Sequence, residues 1–326
     1  MSTQLGAQDA QFLYLQTDEV LTHVMSINVY DSRTAGGGRL RYADIVRHVS
    51  ERWHLSPVYG RRLYRLPGDV DFPYWVEDVP VVPADHITRV RLRRPGGWPE
   101  FCRLAAHRFA QPMDLERPLW DIQVVEGLDA LPGVAPGSFA LLQRFHHAAI
   151  DGASGAYALA ALSDSDAHGT SVIAASPAAH AAATAPSRVT VVYRALASGV
   201  ASPVKMLDAA LRISPALVAA ARRRATETAP REHAGVPVTR FNQRVTKKRS
   251  FAATEFKLDA LQAIRAAAPG ATINDVILAV CSGALRAYLA SHDELPSQAL
   301  VAIAPINARR TRGGDASAGN NVSAMT

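Results

Sequence analysis

The stretch that most constrains this chain is Phe139-Ala-Leu-Leu-Gln-Arg-Phe-His-His-Ala-Ala-Ile-Asp-Gly152. An apolar run ending on two adjacent histidines predicts a buried β-strand. Successive strand side chains point to opposite faces, so Phe139, Leu141, Gln143, Phe145 and His147 share one face. Ala140, Leu142, Arg144 and His146 share the other, and the two imidazoles cannot occupy the same environment. Asp151 follows His147 by four residues, just ahead of the helical stretch Ser154–Leu162. Aspartate is a good N-cap, so the segment predicts strand, tight turn and capped helix. Such a turn holds an imidazole at the end of a rigid element, where a general base belongs. Read alone, the segment allows a base, a metal ligand or a structural turn.

Length and charge narrow the choice. A chain of 326 residues predicts two domains. Lysine plus arginine number 35 against 29 aspartate plus glutamate, a net charge of +6. That surplus suits an anionic partner such as phosphates, CoA or acidic lipid headgroups. Nucleic acid ranks low, because the basic residues do not gather beside an aromatic platform. Two distant cysteines, Cys102 and Cys281, with no CxxC and no signal peptide, predict a reduced cytoplasmic protein with both thiols in the core. No apolar stretch long enough to cross a bilayer without charge is expected. Neighbouring strand residues diverge and HExxH is absent, so no metal is expected at the histidines. The nucleophile elbow GxSxG of a serine hydrolase is also absent.

In chain order, Gln8–Gln16 predicts a short helix with Phe12, Leu13 and Leu15 apolar and Asp9 as its cap. His23–Tyr30 alternates as a strand. The glycines at 36–38 predict a flexible turn, and Leu40–Trp53 has helical spacing at Ile45, Val49 and Trp53. The basic stretch Tyr59–Arg65 is expected to be a solvated face. Phe72–Pro80, aromatic and bounded by prolines, predicts an edge strand and turn. His86–Arg93 predicts a half-exposed strand, Trp98–Ala110 a helix, and Trp120–Val125 a strand ended by Gly127. Residues 163–188 have the composition of a linker. Val189–Arg224 is basic and amphipathic, broken at Pro203 and Pro215, and suits either an anionic membrane surface or packing on the protein's own body. A second domain is expected to open with a strand at Phe251, followed by helices Leu258–Ala268 and Thr272–Leu289. Thr272 caps the latter, and Val276, Val280, Ala284 and Tyr288 recur along it. Asn274 and Asp275 fall in its first turn, where free N–H groups favour developing negative charge. Leu300–Ala304 predicts a buried strand, and residues 319–326 the start of another. The expected division is 1–165, a linker at 166–250, and 251–326 as the first part of a second domain in a fragment of a longer protein.

His146-His147-Ala-Ala-Ile-Asp151-Gly152 matches the HHxxxDG motif of the CoA-dependent acyltransferase superfamily, a motif shared with peptide-synthetase condensation domains. Further matches run nearly end to end: Phe12-Leu-Tyr-Leu, Arg117-Pro-Leu-Trp-Asp with Glu126-Gly-Leu, Asn274-Asp275, and Gly319-Asn-Asn-Val-Ser323. Together they make the chain resemble the bacterial wax ester synthase/acyl-CoA:diacylglycerol acyltransferase family. It departs at Leu21-Thr-His-Val-Met25, where that family has methionine–histidine–valine. The resemblance implies an α+β fold of two chloramphenicol-acetyltransferase-like α/β sandwich domains, the second incomplete here. It implies acyl transfer from acyl-CoA to diacylglycerol or a long-chain alcohol, with His147 as general base and no cofactor. His146 would orient the motif, Asp151 hold the turn through capping or an arginine partner, and Gly152 let the backbone turn closely. Asn274 and Asp275 would stabilise the oxyanion or place the acceptor. The implied setting is cytoplasmic and peripheral, at an anionic inner-membrane or lipid-body surface. The alternatives are a condensation-type acyltransferase using carrier-protein thioesters and a non-catalytic lipid-binding scaffold.

Overall fold

A computed structural model of the chain describes residues 3–35, 40–65, 71–77, 80–150, 152–164, 237–302, 304–307 and 322–325. Asp151, the basic segment Val189–Arg224 and Gly319–Asn321 lie outside the described residues. The chain divides into two compact units. The first holds the described residues up to 164 together with 246–250, 307 and 322–323, and the second holds 237–245, 251–302, 304–306 and 324–325.

The first unit is built around a mixed four-stranded sheet. Its strands are β2 (His23–Tyr30), β5 (Ile87–Arg91), β6 (Trp120–Glu126) and β7 (Phe139–His146), in the order β2-β7-β6-β5. β7 is antiparallel to both neighbours, and β5 runs parallel to β6. A strand paired along both edges and covered on both faces should carry a continuous apolar run. β7 does, and all eight of its residues are buried. Phe139, Leu141 and Phe145 join the main core with Ala10 and Leu13 of α1 (Ala7–Tyr14), Ile45 and Val49 of α2 (Tyr42–Arg52), Val58 and Tyr59 of α3 (Pro57–Gly60), and Ala158 and Ala161 of α5 (Gly152–Ala161). Ala140, Leu142 and Arg144 are buried on the opposite face.

That second face carries a buried charge. Arg144 is 2% exposed and makes a bidentate contact with Asp121 of β6, Nε to Oδ1 at 3.0 Å and Nη2 to Oδ2 at 2.6 Å. Its Nη1 donates to the carbonyls of Arg108 and Gln111, both at 2.7 Å, at the end of α4 (Trp98–Phe109). Arg108 reaches the same carboxylate, Nη2 to Oδ1 at 2.7 Å. The cluster therefore ties two strands to the helix that covers them.

A smaller sheet has the order β1-β4-β3, from Thr3–Gln4, Tyr74–Val76 and Arg62–Tyr64. The aromatic stretch forms β4, the central strand of this sheet and not the expected edge. Pro73 and Pro80 lie outside the paired span, so no ladder N–H is lost. Two other expectations change in this unit. Gly6, not Asp9, occupies the N-cap of α1, with Asp9 in its first turn. Cys102 on α4 is only half-buried.

The second unit contains α6 (Leu258–Ala267) and α7 (Ile273–Ala290). Residues 251–257 are irregular, in place of the strand expected at Phe251. Leu300 and Val301 are exposed and unstranded, and the strand begins later, at β8 (Ala304–Asn307), with a further strand, β9, at Val322–Met325. Val276 and Leu289 are the buried residues of α7, so its expected apolar stripe is largely open, and Cys281 is exposed. Among the described residues α7 is the one helix long and apolar enough to cross a membrane by length and composition, with 18 residues and a mean hydropathy of 1.4. The sequence expectation allowed none, because Asp275 and Arg286 interrupt this stretch.

Replacing Asp121 by alanine should cost about 3–5 kcal/mol, because it strands the buried Arg144 guanidinium without its counter-ion. Urea unfolding of the variant against the parent protein measures the loss.

Candidate active site

The histidine pair sits where β7 stops. The strand ends at His146, residues 147–149 form a turn, and α5 begins at Gly152. Central placement fastens the backbone on both sides. The His146 N–H donates to Leu119 O at 3.1 Å, and the His147 N–H donates to Thr22 O at 2.9 Å. Leu119 and Trp120 of the matched Pro-Leu-Trp block are fully buried. The Trp120 Nε1–H donates to Tyr59 O at 2.9 Å, and the Tyr59 hydroxyl donates to Ala158 O of α5 at 2.7 Å. His86, expected to open β5, lies just before it, stacked on Trp120 at 4.5 Å.

The two imidazoles have different surroundings, as strand alternation requires. His146 is fully buried, and its Nδ1 accepts from the Ala148 N–H at 3.1 Å. That assignment leaves the proton on Nε2, which lies 3.0 Å from Gln16 Oε1 and 3.2 Å from Thr22 Oγ1. The Thr22 hydroxyl donates in turn to Phe12 O at 2.7 Å. Burial, reinforced by His23 and His147, draws the His146 pKa down to about 4. His23 pairs directly with His146 across the strands. Its Nε2 contacts Phe109 O at 2.8 Å, and burial with Arg144 nearby lowers its pKa to about 4 as well. Both are neutral at physiological pH.

His147 is half-buried, and its ring stacks on Phe12 of α1 with centroids 4.0 Å apart and planes inclined by 18°. α1 and the residues after it thus supply Phe12 against one histidine and Gln16 and Thr22 against the other. Phe12 belongs to a matched segment, but nothing in the local sequence singles out Gln16 or Thr22. The expected solvated face at Tyr59–Arg65 is overturned. Tyr59 is fully buried, and Arg61 points inward, with Nη2 donating to Ala149 O at 2.9 Å and its guanidinium 4.3 Å from the Trp75 ring centre. The charge run has the composition of a surface, and the partners that bury it are distant in sequence.

Of the other predicted site residues, Gly152 opens α5, and Asp151 lies outside the described residues. Asn274 and Asp275 belong to the second unit. Asn274 is exposed, while Asp275 closes the capping box of α7, its Oδ2 accepting from Thr272 N at 2.7 Å and Thr272 Oγ1 at 2.8 Å. These bonds hold its carboxyl below the usual range. A cavity of about 740 Å³ is lined by Arg62, Tyr64, Val76, His86 and Arg117, and one of about 430 Å³ by Tyr30, Ile45, Leu141 and Gln143. Neither is lined by His147. No group of His, Cys, Asp or Glu among the described residues is placed to hold a metal ion.

Residues 5–277 match the family described as the wax ester synthase/diacylglycerol acyltransferase catalytic domain, and the chain belongs to that family. It is 32% identical over 306 residues to a candidate diacylglycerol O-acyltransferase of Mycobacterium tuberculosis H37Rv, covering 93% of this chain and 62% of that one. A second candidate from the same strain is 31% identical over 318 residues, covering 97% and 67%. The solved wax ester synthase/diacylglycerol acyltransferase of Marinobacter aquaeolei VT8 shares the fold, with a TM-score of 0.58 at 24% identity over 90% of this chain and 62% of that one. The chain thus spans about 62% of the length of the first of these relatives.

Below pH 6.5 an unfolded chain protonates His23 and His146, while the folded chain holds both neutral down to about pH 4. The unfolding temperature should therefore fall as pH drops from about 6.5 to about 4, and His146→Gln should flatten part of that fall in a calorimetric series.

Proposed function

We propose that this chain carries the catalytic histidine of an O-acyltransferase that moves a long-chain acyl group from acyl-CoA to diacylglycerol or a long-chain alcohol. The observation that carries the reading is the environment of His147, a partly accessible imidazole braced by Phe12 at the end of a buried strand in a chain of this family. In this reading His147 takes the proton of the acceptor hydroxyl as its oxygen attacks the thioester carbonyl. The tetrahedral intermediate then expels the CoA thiolate, which receives that proton from the imidazolium. His146 supports this by remaining neutral, since a second positive charge alongside would weaken the base. Asp151 would hold the turn, Gly152 would admit the close chain reversal, and Asn274 and Asp275 would serve the oxyanion or the acceptor from a helix N-terminus.

The wider reading has two chloramphenicol-acetyltransferase-like domains, divided near 165 and 250, with a further segment of the protein completing the second. It needs no cofactor, since acyl-CoA is a substrate, and no metal or nucleic acid. A net charge of +6 supports contact with anionic CoA and with an anionic inner-membrane or lipid-body surface on the cytoplasmic side.

Labelled long-chain acyl-CoA presented with diacylglycerol and with a long-chain alcohol should yield labelled triacylglycerol, wax ester or both. His147→Ala should lower that rate by about 100- to 10,000-fold with the circular dichroism spectrum unchanged. Undiminished transfer by the folded variant would sink the reading. Transfer from carrier-protein thioesters alone would point to a condensation-type enzyme, and lipid binding without turnover to a scaffold.

A further inference from the structure

Arg61 has a place in the motif turn that no sequence feature announces. Three N–H groups of the turn are already fastened: His147 to Thr22 O, Ala148 to His146 Nδ1, and Ala149 to His146 O at 2.9 Å. The carbonyl of Ala149 looks the other way and meets the Arg61 guanidinium at 2.9 Å. A bond from a charged donor is shorter and stronger than one between neutral groups. The guanidinium itself is braced, lying 4.3 Å from the ring centre of Trp75, a buried residue of the central strand β4. Burial draws the Arg61 pKa down to about 10, opposed by Asp9 and Glu77, so the group is cationic at neutral pH. Its Nε is buried without an acceptor among the described residues, and this carbonyl and this ring are the close contacts described for the guanidinium.

We propose that Arg61 is a positioning residue: by clamping the Ala149 carbonyl it fixes the backbone just after His147 and so sets where that imidazole is presented. The part concerning turnover rests on the general-base reading of His147. Arginine suits the position because a planar cation stacks on an indole and donates in its own plane at once, whereas an ammonium does only the second well. The clamp joins the motif to the small sheet, a connection independent of the α1 contacts that brace the two rings.

The test compares the full chain with Arg61→Met, Arg61→Lys and His147→Ala by amide hydrogen exchange and by steady-state kinetics with long-chain acyl-CoA. Arg61→Met should speed exchange in the segment 146–152 selectively, leaving segments from β2, β5 and β6 as in the parent. It should lower kcat about 10- to 100-fold with KM for acyl-CoA within threefold, a loss in proportion to a misplaced reacting group. Arg61→Lys should restore most of both, since it keeps a charged donor. Unchanged exchange at 146–152 in Arg61→Met overturns the proposal, and so does faster exchange spread evenly over the unit, which marks general destabilisation. An unchanged kcat overturns the positioning role. Acyl transfer by folded His147→Ala removes the general-base reading alone, because the exchange measurement judges the clamp without reference to turnover.

Discussion

Everything in the first unit depends on burying β7 along both edges and on both faces. A strand in that position has no water for its backbone, so each N–H and carbonyl must find a partner in β2, β6 or the turn that follows. The pairing carries through to the last residue of the strand and one step beyond. His146 and His147 donate their backbone N–H groups to opposite flanking segments, at Leu119 and Thr22. The histidines are consequently held by the sheet itself and not by a surface loop, which limits how far either ring can wander.

Low dielectric gives the neighbourhood its electrostatic character. His23 and His146 are neutral because charging them would cost too much in solvation, and Arg144, a cation buried nearby, is matched by Asp121 and by two backbone carbonyls. His147 differs, keeping partial access to solvent while Phe12 covers one ring face. The end of one strand thus places a fully buried, neutral imidazole next to a half-buried one. The second unit has a different local logic. Its best-defined feature, the capping box of Thr272 and Asp275, satisfies the first turn of α7 from within the helix.

Several elements were legible because their cause is local. The helices at 42–52, 98–109 and 273–290 follow from apolar spacing, and the last also from its cap. β2, β5, β6 and β7 follow from alternation or from a continuous apolar run. Where local cause was lacking, the expectation failed. Phe251 and Leu300 lie in residues with strand-like composition but no ladder partner among the described residues, and they are irregular. The prolines flanking the aromatic stretch at 74–76 suggest an edge, yet they stand outside the paired span. Residue type alone points Cys102 and Cys281 to a core, whereas each sits on a helix with one face outward.

What the sequence determined by itself was the existence of the histidine strand, the inequality of its two imidazoles and the family to which the chain belongs. Those follow from residue order, since side-chain alternation and motif spacing are properties of a few consecutive residues. Only the tertiary structure decided what surrounds them. Phe12, Gln16, Thr22 and Arg61 lie between 88 and 135 positions away from the motif residues they touch. No local pattern encodes a contact across such separations. Arg61 shows the difference most clearly: in sequence it belongs to a basic run suited to solvent, and folding brings a carbonyl and an indole to it.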